Sequence, residues 1–391
     1  MDFHIDPDRR NCPARHKSSC FSVPLVSVIV VNFNYGRFLM DAVASVFAQT
    51  YPHIECIVVD DGSTDESGNV LNDIQAAYPE VFIIRLVENN GQSLASKLGY
   101  QASGGEYVVF LDADDYLLPR FIETHIFVHL SLRIPVGLSS SDMAQAVETN
   151  MVVGTGQGFS DFVRSNKGRK ANLVRRFDEN AGDLWPLSSG DIDVDECVHY
   201  VPPCNLDRWV WSNTSGNCFR RDALRLFLEN ETSDQLRTCT DGFLVRGIAV
   251  LTGSVLIDRT LAIYRLHGRN AFSRHPHLDG ILSYDRGGQS DKDQQARVLV
   301  IDHMIANAAL FARKVHSLFL FMRALRSLNN EWPRLPTHVA GCRSYVAGQI
   351  VLQFAGIAKA IGLRNLVIGM CWLGIAPWVI LRAIISSRAR L

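Results

Sequence analysis

The chain has 391 residues, with 39 Lys and Arg against 40 Asp and Glu, a formal charge of −1, 47% hydrophobic residues and 20% charged ones. That length holds about two or three domains, and the composition excludes a disordered or fibrous chain. Near-neutrality excludes a surface given over to nucleic acid. The neutrality is a cancellation: Trp332–Leu391 carries seven Lys or Arg and no acid, and removing that +7 from −1 leaves −8 on the rest. The nine cysteines (12, 20, 56, 197, 204, 218, 239, 342 and 371) form no C-x-x-C pair and read as reduced, structural thiols. Met1–Arg10 carries Asp2, Asp6 and Asp8 and no apolar stretch, so it does not read as a signal peptide, and the body of the protein is expected to face the cytosol.

Residues 1–22 are polar and read as a flexible lead. Leu25–Val31 is a continuous apolar, β-branched run, the pattern of a strand buried on both faces. A short loop, Asn32–Gly36, precedes a helix over Phe38–Gln49, where Phe38, Ala42, Val43, Val46 and Phe47 form one stripe. Ile54–Val59 is a second strand; after Asp60–Asp65, Ser63 or Thr64 is expected to cap a helix over Glu66–Ala77. The pattern repeats: strand Val81–Val87, helix Ser93–Ala102, strand Tyr107–Leu111 ending in Asp112-Ala-Asp-Asp115. Four strands alternating with three helices predict an α/β fold with a parallel, doubly wound sheet, whose ligands bind at the carboxyl ends of the strands. Three polar loops leave those ends, at 32–36, 60–65 and 112–115.

Residues 121–290 are less regular. Gly154–Gly158 and Ser188–Gly190 separate short apolar runs, Trp185, Trp209 and Trp211 are interspersed, and helical periodicity returns at Ala223–Leu228 and Gly242–Leu251. Beyond Asp291 the pattern is helical, with one long segment over Ala296–Leu328.

Asp112, Asp114 and Asp115 carry the strongest chemical signal. Three carboxylates within four residues repel one another at the end of a buried strand, and a hard divalent cation would remove that cost; a solvated acidic turn is the plain alternative. The Asp60–Ser63 cluster ends the neighbouring strand, where a carboxylate can accept a hydrogen bond from a nucleobase or a ribose. Both clusters on one sheet edge point to a nucleotide-diphosphate site.

Val26–Asn34 (VSVIVVNFN), Val58–Asp65 (VVDDGSTD) and Phe110–Asp115 (FLDADD) together resemble the family-two glycosyltransferases of GT-A fold. The resemblance is strong over about residues 25–125. It implies an inverting enzyme that takes sugar from a nucleotide-diphospho-sugar, often a UDP-sugar, with Mn²⁺ or Mg²⁺. On that resemblance Val31 and Phe33 contact the nucleotide, Asp61 recognises the base, and Asp112 and Asp114 form the DxD pair. Asp115 shares the metal or the ribose. Thr214–Leu224 is similar to the family's acceptor border, and Thr240–Arg246 to the helix start carrying the catalytic base, which makes Asp241 the candidate. Tyr264–Asn270 is similar to the late loop over the diphosphate, where His267 would ligate the metal or a phosphate oxygen; Gly268-Arg269 stands where the family often has Gly-Gly. Asp241 is equally placed to cap the helix that follows it.

The resulting division is a lead (1–22), a nucleotide-sugar half (23–120), an acceptor half (121–290) and a helical C-terminal region (291–391) with an apolar, basic tail. Leu366–Leu381 has sixteen uncharged residues, about 24 Å as a helix against the roughly 30 Å of a bilayer core, and Pro377 would kink it. Helices lying on an anionic leaflet suit this segment; a single tilted span and a buried helical contact are the alternatives. The expected partners are a nucleotide-sugar donor, a glycan or lipid-linked saccharide acceptor and a membrane surface, with no nucleic acid. A sugar-nucleotidyltransferase would need a longer, basic Gly-rich first loop than Asn32–Gly36, and a non-catalytic sugar- or nucleotide-binding homologue would have no need to keep Asp112, Asp114 and Asp241 together. The dehydrogenase, phosphate-loop and hydrolase-elbow motifs do not occur.

Overall fold

The computed structural model describes residues 23–388 except 148–149, 155–156, 171, 175–193, 206–207, 230–231, 271–285, 315–316, 331–334 and 338. The expected lead, Trp185 and Ser188–Gly190 lie outside the described residues. Strands β1 (Val26–Asn32), β2 (Ile54–Asp60), β3 (Phe82–Arg85) and β4 (Tyr107–Asp112) alternate with α1 (Gly36–Phe47), α2 (Ser67–Ala77) and α3 (Gln92–Ala102). β1 pairs in parallel with β2 and β4, and β2 with β3. Every residue of β1 is buried. Val26, Val28 and Val30 enter one core with Leu39, Val43, Leu71 and Ile74, while Ile29 and Val31 enter a second with Ala95 and Tyr100. Cover on both faces is the reason this strand has no polar alternation.

The second half continues the same sheet. β5 (Tyr116–Leu117), α4 (Phe121–Ser131), β6 (Leu138–Val147), β7 (Asn150–Gly154), α5 (Gln157–Arg164), α6 (Val194–Cys197) and β8 (Val198–Val201) lead to β9 (Asn217–Arg220), α7 (Arg221–Leu228), α8 (Thr240–Thr252) and β10 (Ser254–Arg265). The strand order is β3-β2-β1-β4-β9-β6-β10-β5, with β7 on β6 and β8 on β10. β9 runs antiparallel between β4 and β6, and β6 and β10 are parallel again.

Helices α9 (Arg286–Ala306), α10 (Ala308–Lys314), α11 (Leu318–Asn330), α12 (Tyr345–Leu352), α13 (Phe354–Ile361), α14 (Leu363–Trp372) and α15 (Pro377–Arg388) follow. The single helix expected over Ala296–Leu328 is therefore three. At the first break Asn307 turns its side-chain amide back to the His303 carbonyl (2.9 Å), competing with the helical ladder. Ser317 then restarts the chain, its hydroxyl accepting the Leu320 N–H at 3.2 Å. Pro377 likewise opens α15 instead of kinking a longer helix. Gly374 (φ 73) ends α14, with the Gly374 N–H bonded to the Cys371 carbonyl and the Ile375 N–H to that of Met370. That pairing terminates a helix, and proline suits the first position of the next. α9 and α11 pack on α8, and residues from Phe243 to Val379 share one core with the α3 face of the sheet. All seven cysteines among the described residues are free thiols.

Candidate active site

Asn32 stands opposite Asp60 in the β1–β2 register, and Val31 opposite Asp112 in β1–β4, so three parallel strands end at one level. Polar side chains lace their loops together. Asn34, in the left-handed region (φ 58), accepts the Thr64 N–H at 2.7 Å through Oδ1. Ser63 donates to Asp60 Oδ1 (2.6 Å) and accepts the Asn34 N–H (2.8 Å). Ser63 and Thr64 thus hold the first loop and do not cap α2; the Ser67 N–H goes to Asp65, which also accepts the Gly36 N–H, each at 3.0 Å. Burial raises the Asp65 carboxyl, but these hydrogen bonds outweigh it and leave the group below its usual value.

Val31 is almost fully buried, and its carbonyl accepts the Ala113 N–H at 3.0 Å; Phe33, next along, is 39% exposed at the strand end. Asp61 reaches the same edge but its oxygens accept the N–H groups of Asn90 (2.8 Å) and Gly91 (2.7 Å). It therefore positions the loop ahead of α3. Gly91 has φ 100, and a Cβ there would stand 2.7 Å from the Arg237 Cα, so only glycine fits.

The acidic turn is divided by role. Asp115 is fully buried, accepting the Ser215 hydroxyl (2.7 Å) and the Arg265 N–H (3.2 Å). Burial, reinforced by Asp114 and Asp112, pushes its carboxyl well up. Arg265 clamps the turn from outside, donating Nε–H to the Asp114 carbonyl (2.6 Å) and pairing with Asp41 (2.8 Å). Asp112 accepts the Gln92 amide at 2.8 Å; burial, then Asp114, and further Asp241, raise its carboxyl to about 7. Asp114 accepts His267 Nε2–H at 2.9 Å and the Asn270 amide at 3.4 Å. His267 Nδ1 accepts the Arg269 N–H at 3.3 Å, which assigns the ring proton to Nε2, and Tyr35 and Phe38 pack against the ring.

Asp241 is the second residue of α8, in the first turn, where a carboxylate meets the positive end of the helix. The cap position itself falls on Cys239, held at φ 65, so Asp241 is not the capping residue, though its Oδ1 accepts the adjacent Gly242 N–H at 2.8 Å. Burial raises its carboxyl, opposed by the Gly242 N–H and Arg246. Asp241, Asp112, Asp114, Asp115 and His267 are all gathered at the strand ends, with Phe33 and Asp61 alongside. Beside them a cavity of about 330 Å³ is lined by Asn34, Tyr35, Arg37, Thr64, Asp65, Glu66 and Arg269.

Sequence reasoning missed Gln92, Ser215, Asn270 and Arg265. Gln92 joins Asp112 to Thr240, whose hydroxyl lies 3.3 Å from Gln92 Oε1 and 2.9 Å from the Ser93 hydroxyl. Single polar residues have no spacing that would announce them: Ser215 lies in the Thr214–Leu224 segment and Arg265 and Asn270 in Tyr264–Asn270, which mark a segment and not a side chain, and Gln92 had no signal at all. Trp211 is core, donating to the Ser254 hydroxyl at 2.8 Å, whereas Trp209 is half-buried over Arg246. Arg220 pairs with Asp222, and Arg221 stacks on Tyr100.

Among the described residues no group of three or more His, Cys, Asp or Glu is arranged to hold a metal. The donor set nevertheless suits a hard divalent cation: two carboxylates, Asp112 and Asp114, stand close enough that Asp114 raises the cost of ionising Asp112, and such ions complete their shell with water and phosphate oxygens.

A parallel sheet continued by a mixed second half, with an acidic pair at the carboxyl end of the fourth strand, defines the GT-A class of fold. Residues 27–129 match the model of Glycosyl transferase family 2. An uncharacterized glycosyltransferase of Nostoc sp. is 31% identical over 245 residues, which is 63% of this chain and 66% of that protein. The glycosyltransferase GlyG of Streptococcus pneumoniae is 36% identical over 100 residues, 26% of this chain and 33% of its own. The match thus spans just under two thirds of the first relative and a third of the second. Among solved structures, Staphylococcus aureus TarS 1–349 in complex with UDP aligns with 16% identity and a TM-score of 0.48, over 87% of this chain and 82% of that one.

Proposed function

We propose that the protein transfers a sugar from a nucleotide-diphospho-sugar, with UDP-sugars the first choice, to a hydroxyl of a glycan or a lipid-linked saccharide. The observation that carries this reading is Asp241, a carboxylate with its proton affinity raised by burial, on the same edge as Asp112 and Asp114 and sensed electrostatically by Asp112. Asp241 takes the proton of the acceptor hydroxyl. The oxygen of that hydroxyl forms a bond to the anomeric carbon as the bond to the diphosphate breaks, its electron pair leaving with the phosphate. One displacement inverts the anomeric centre and needs no enzyme nucleophile.

Phe33 stacks on the base, Val31 and Asp61 shape its surroundings, and Arg37 and Arg269 border the adjoining cavity. Asp112 and Asp114 would hold Mn²⁺ or Mg²⁺ with His267 beside them, while Asp115 fixes the turn through Ser215 and Arg265. Held by these carboxylates, such an ion would supply positive charge to offset that of the departing diphosphate. The test is Asp241→Asn: titration calorimetry with donor and Mn²⁺ should return wild-type affinity while transfer falls by about 10³-fold or more. Retained turnover would reassign the base, and lost donor binding would place Asp241 in the donor site.

A further inference from the structure

The C-terminal helices bury part of their apolar surface and leave the rest exposed. Leu366, Met370, Val379, Ile380 and Ala383 join the core, whereas Phe319, Leu352, Ile368, Trp378, Leu381 and Ile385 are each more than half exposed. On α15, Trp378, Leu381 and Ile385 recur at the spacing of one helical face, with Arg382 among them. Trp372 lies edge-on to Phe319 at 5.7 Å under the Arg326 guanidinium at 4.6 Å. Scattered exposed apolar residues are ordinary, but a stripe of three on one face of a helix, with a cation among them, marks a binding surface.

Charge selects the occupant. Between Ala308 and Leu391 there are eleven Lys or Arg and one acid, Glu331. Arg323, Arg326, Lys359, Arg364 and Arg382 are exposed on these helices. A second copy would bring the same cations against themselves, which disfavours self-association. An anionic lipid surface supplies both the apolar layer and the opposite charge.

Helix length sets the mode. No single helix among the described residues is long and apolar enough to cross a membrane, and α13 and α14 bend by 117° at their junction. α15, with twelve residues, is about 18 Å long, well short of a roughly 30 Å core. A cleft of about 420 Å³ also opens between α10, α11, α13 and α14, with Leu318 and Ile361 apolar and Arg313, Ser317 and Asn365 polar, a composition suited to a phosphate headgroup.

We propose that this face docks in the plane of an anionic bilayer, with Trp378, Leu381 and Ile385 entering the headgroup–acyl boundary and the arginines pairing with lipid phosphates. The inference stands independently of the transferase reading. The test floats the full-length protein with vesicles of phosphatidylcholine alone or with 30% phosphatidylglycerol. The expected result is flotation on anionic vesicles that weakens with salt, reduced at least tenfold by Trp378→Ser with Ile385→Ser at an unchanged thermal midpoint. No flotation on anionic vesicles, or equal flotation of the double variant, overturns the proposal. So does a salt-stable dimer in light scattering that the double variant dissolves without any vesicle binding, since the face then belongs to a second copy.

Discussion

Gln92→Ala removes the side chain that ties the acidic turn to the start of α8. The backbone anchor of Gln92, its N–H to the Arg237 carbonyl at 2.8 Å, is untouched, so the loop keeps its path. What is lost is the 2.8 Å donation to Asp112 and the longer contact with the Thr240 hydroxyl at 3.3 Å. A hydrogen bond to a charged group contributes about 1.5–3 kcal/mol and a long neutral one a few tenths, so about 2 kcal/mol is at stake. If that orientation matters mainly in the transition state, kcat falls about 30-fold with donor affinity changed less. The same donation favours the ionised Asp112, so its loss moves the Asp112 carboxyl further above about 7 and shifts the acid limb of the rate profile to higher pH. Gln92→Glu, which replaces the donor by a negative charge beside Asp112, should cost more than the alanine. Steady-state kinetics across pH, with the thermal midpoint as control, checks this. An alanine variant with wild-type kcat and an unmoved acid limb would refute the assignment of Gln92 as the link between the two elements.

Other outcomes follow from single contacts. Because burial raises the Asp241 carboxyl and the base must be ionised, the rate should climb with pH through a midpoint above the ordinary carboxylate value of 3.8 and fall away below it; a pH-independent rate from 4 to 8 would contradict that role. Phe33→Ala should raise the donor KM about tenfold with little change in kcat, as loss of one base stack costs about 1–3 kcal/mol. Ser215→Ala leaves the buried Asp115 carboxyl short of a 2.7 Å donor and should lower stability by about 1–3 kcal/mol, read as a drop in denaturation midpoint. Gly99→Ala places a methyl 2.3 Å from Ile29 Cγ2, where α3 lies on β1, and overpacking should cost about 1–3 kcal/mol; a stabilised variant would show that α3 can lift freely.

The first half of the fold was readable because its signals are local and redundant. Continuous apolar runs place β1, β2 and β4, and the polar loops fall where the strands end. The acidic pair stands out by residue type at an element boundary, whereas Asp241 stands out only through the resemblance, since residue type alone reads it as a helix cap. What escaped was set by partners far apart in sequence. Ser215 meets Asp115 across 100 positions, and Arg265 meets Asp114 across 151, and neither carries a periodic mark. Asp61 carries no mark in the sequence of the loop it holds, yet each of its oxygens accepts a backbone N–H about thirty residues away, from Asn90 and Gly91. Asn307 sits in an unbroken helical pattern and ends it through its own amide. The C-terminal helices look separate by composition, but their buried face shares the core of α8, since apolar spacing does not name the surface it will meet.

The most direct measurement follows nucleoside-diphosphate release by the purified protein from a panel of nucleotide-diphospho-sugars with Mn²⁺, water serving as the acceptor. Slow release from a narrow set of donors is expected, abolished by Asp114→Asn and by Asp241→Asn, with the Asp241→Asn variant still binding the donor. Release from none of them, or release undiminished in both variants, would contradict a nucleotide-sugar transferase built on this edge.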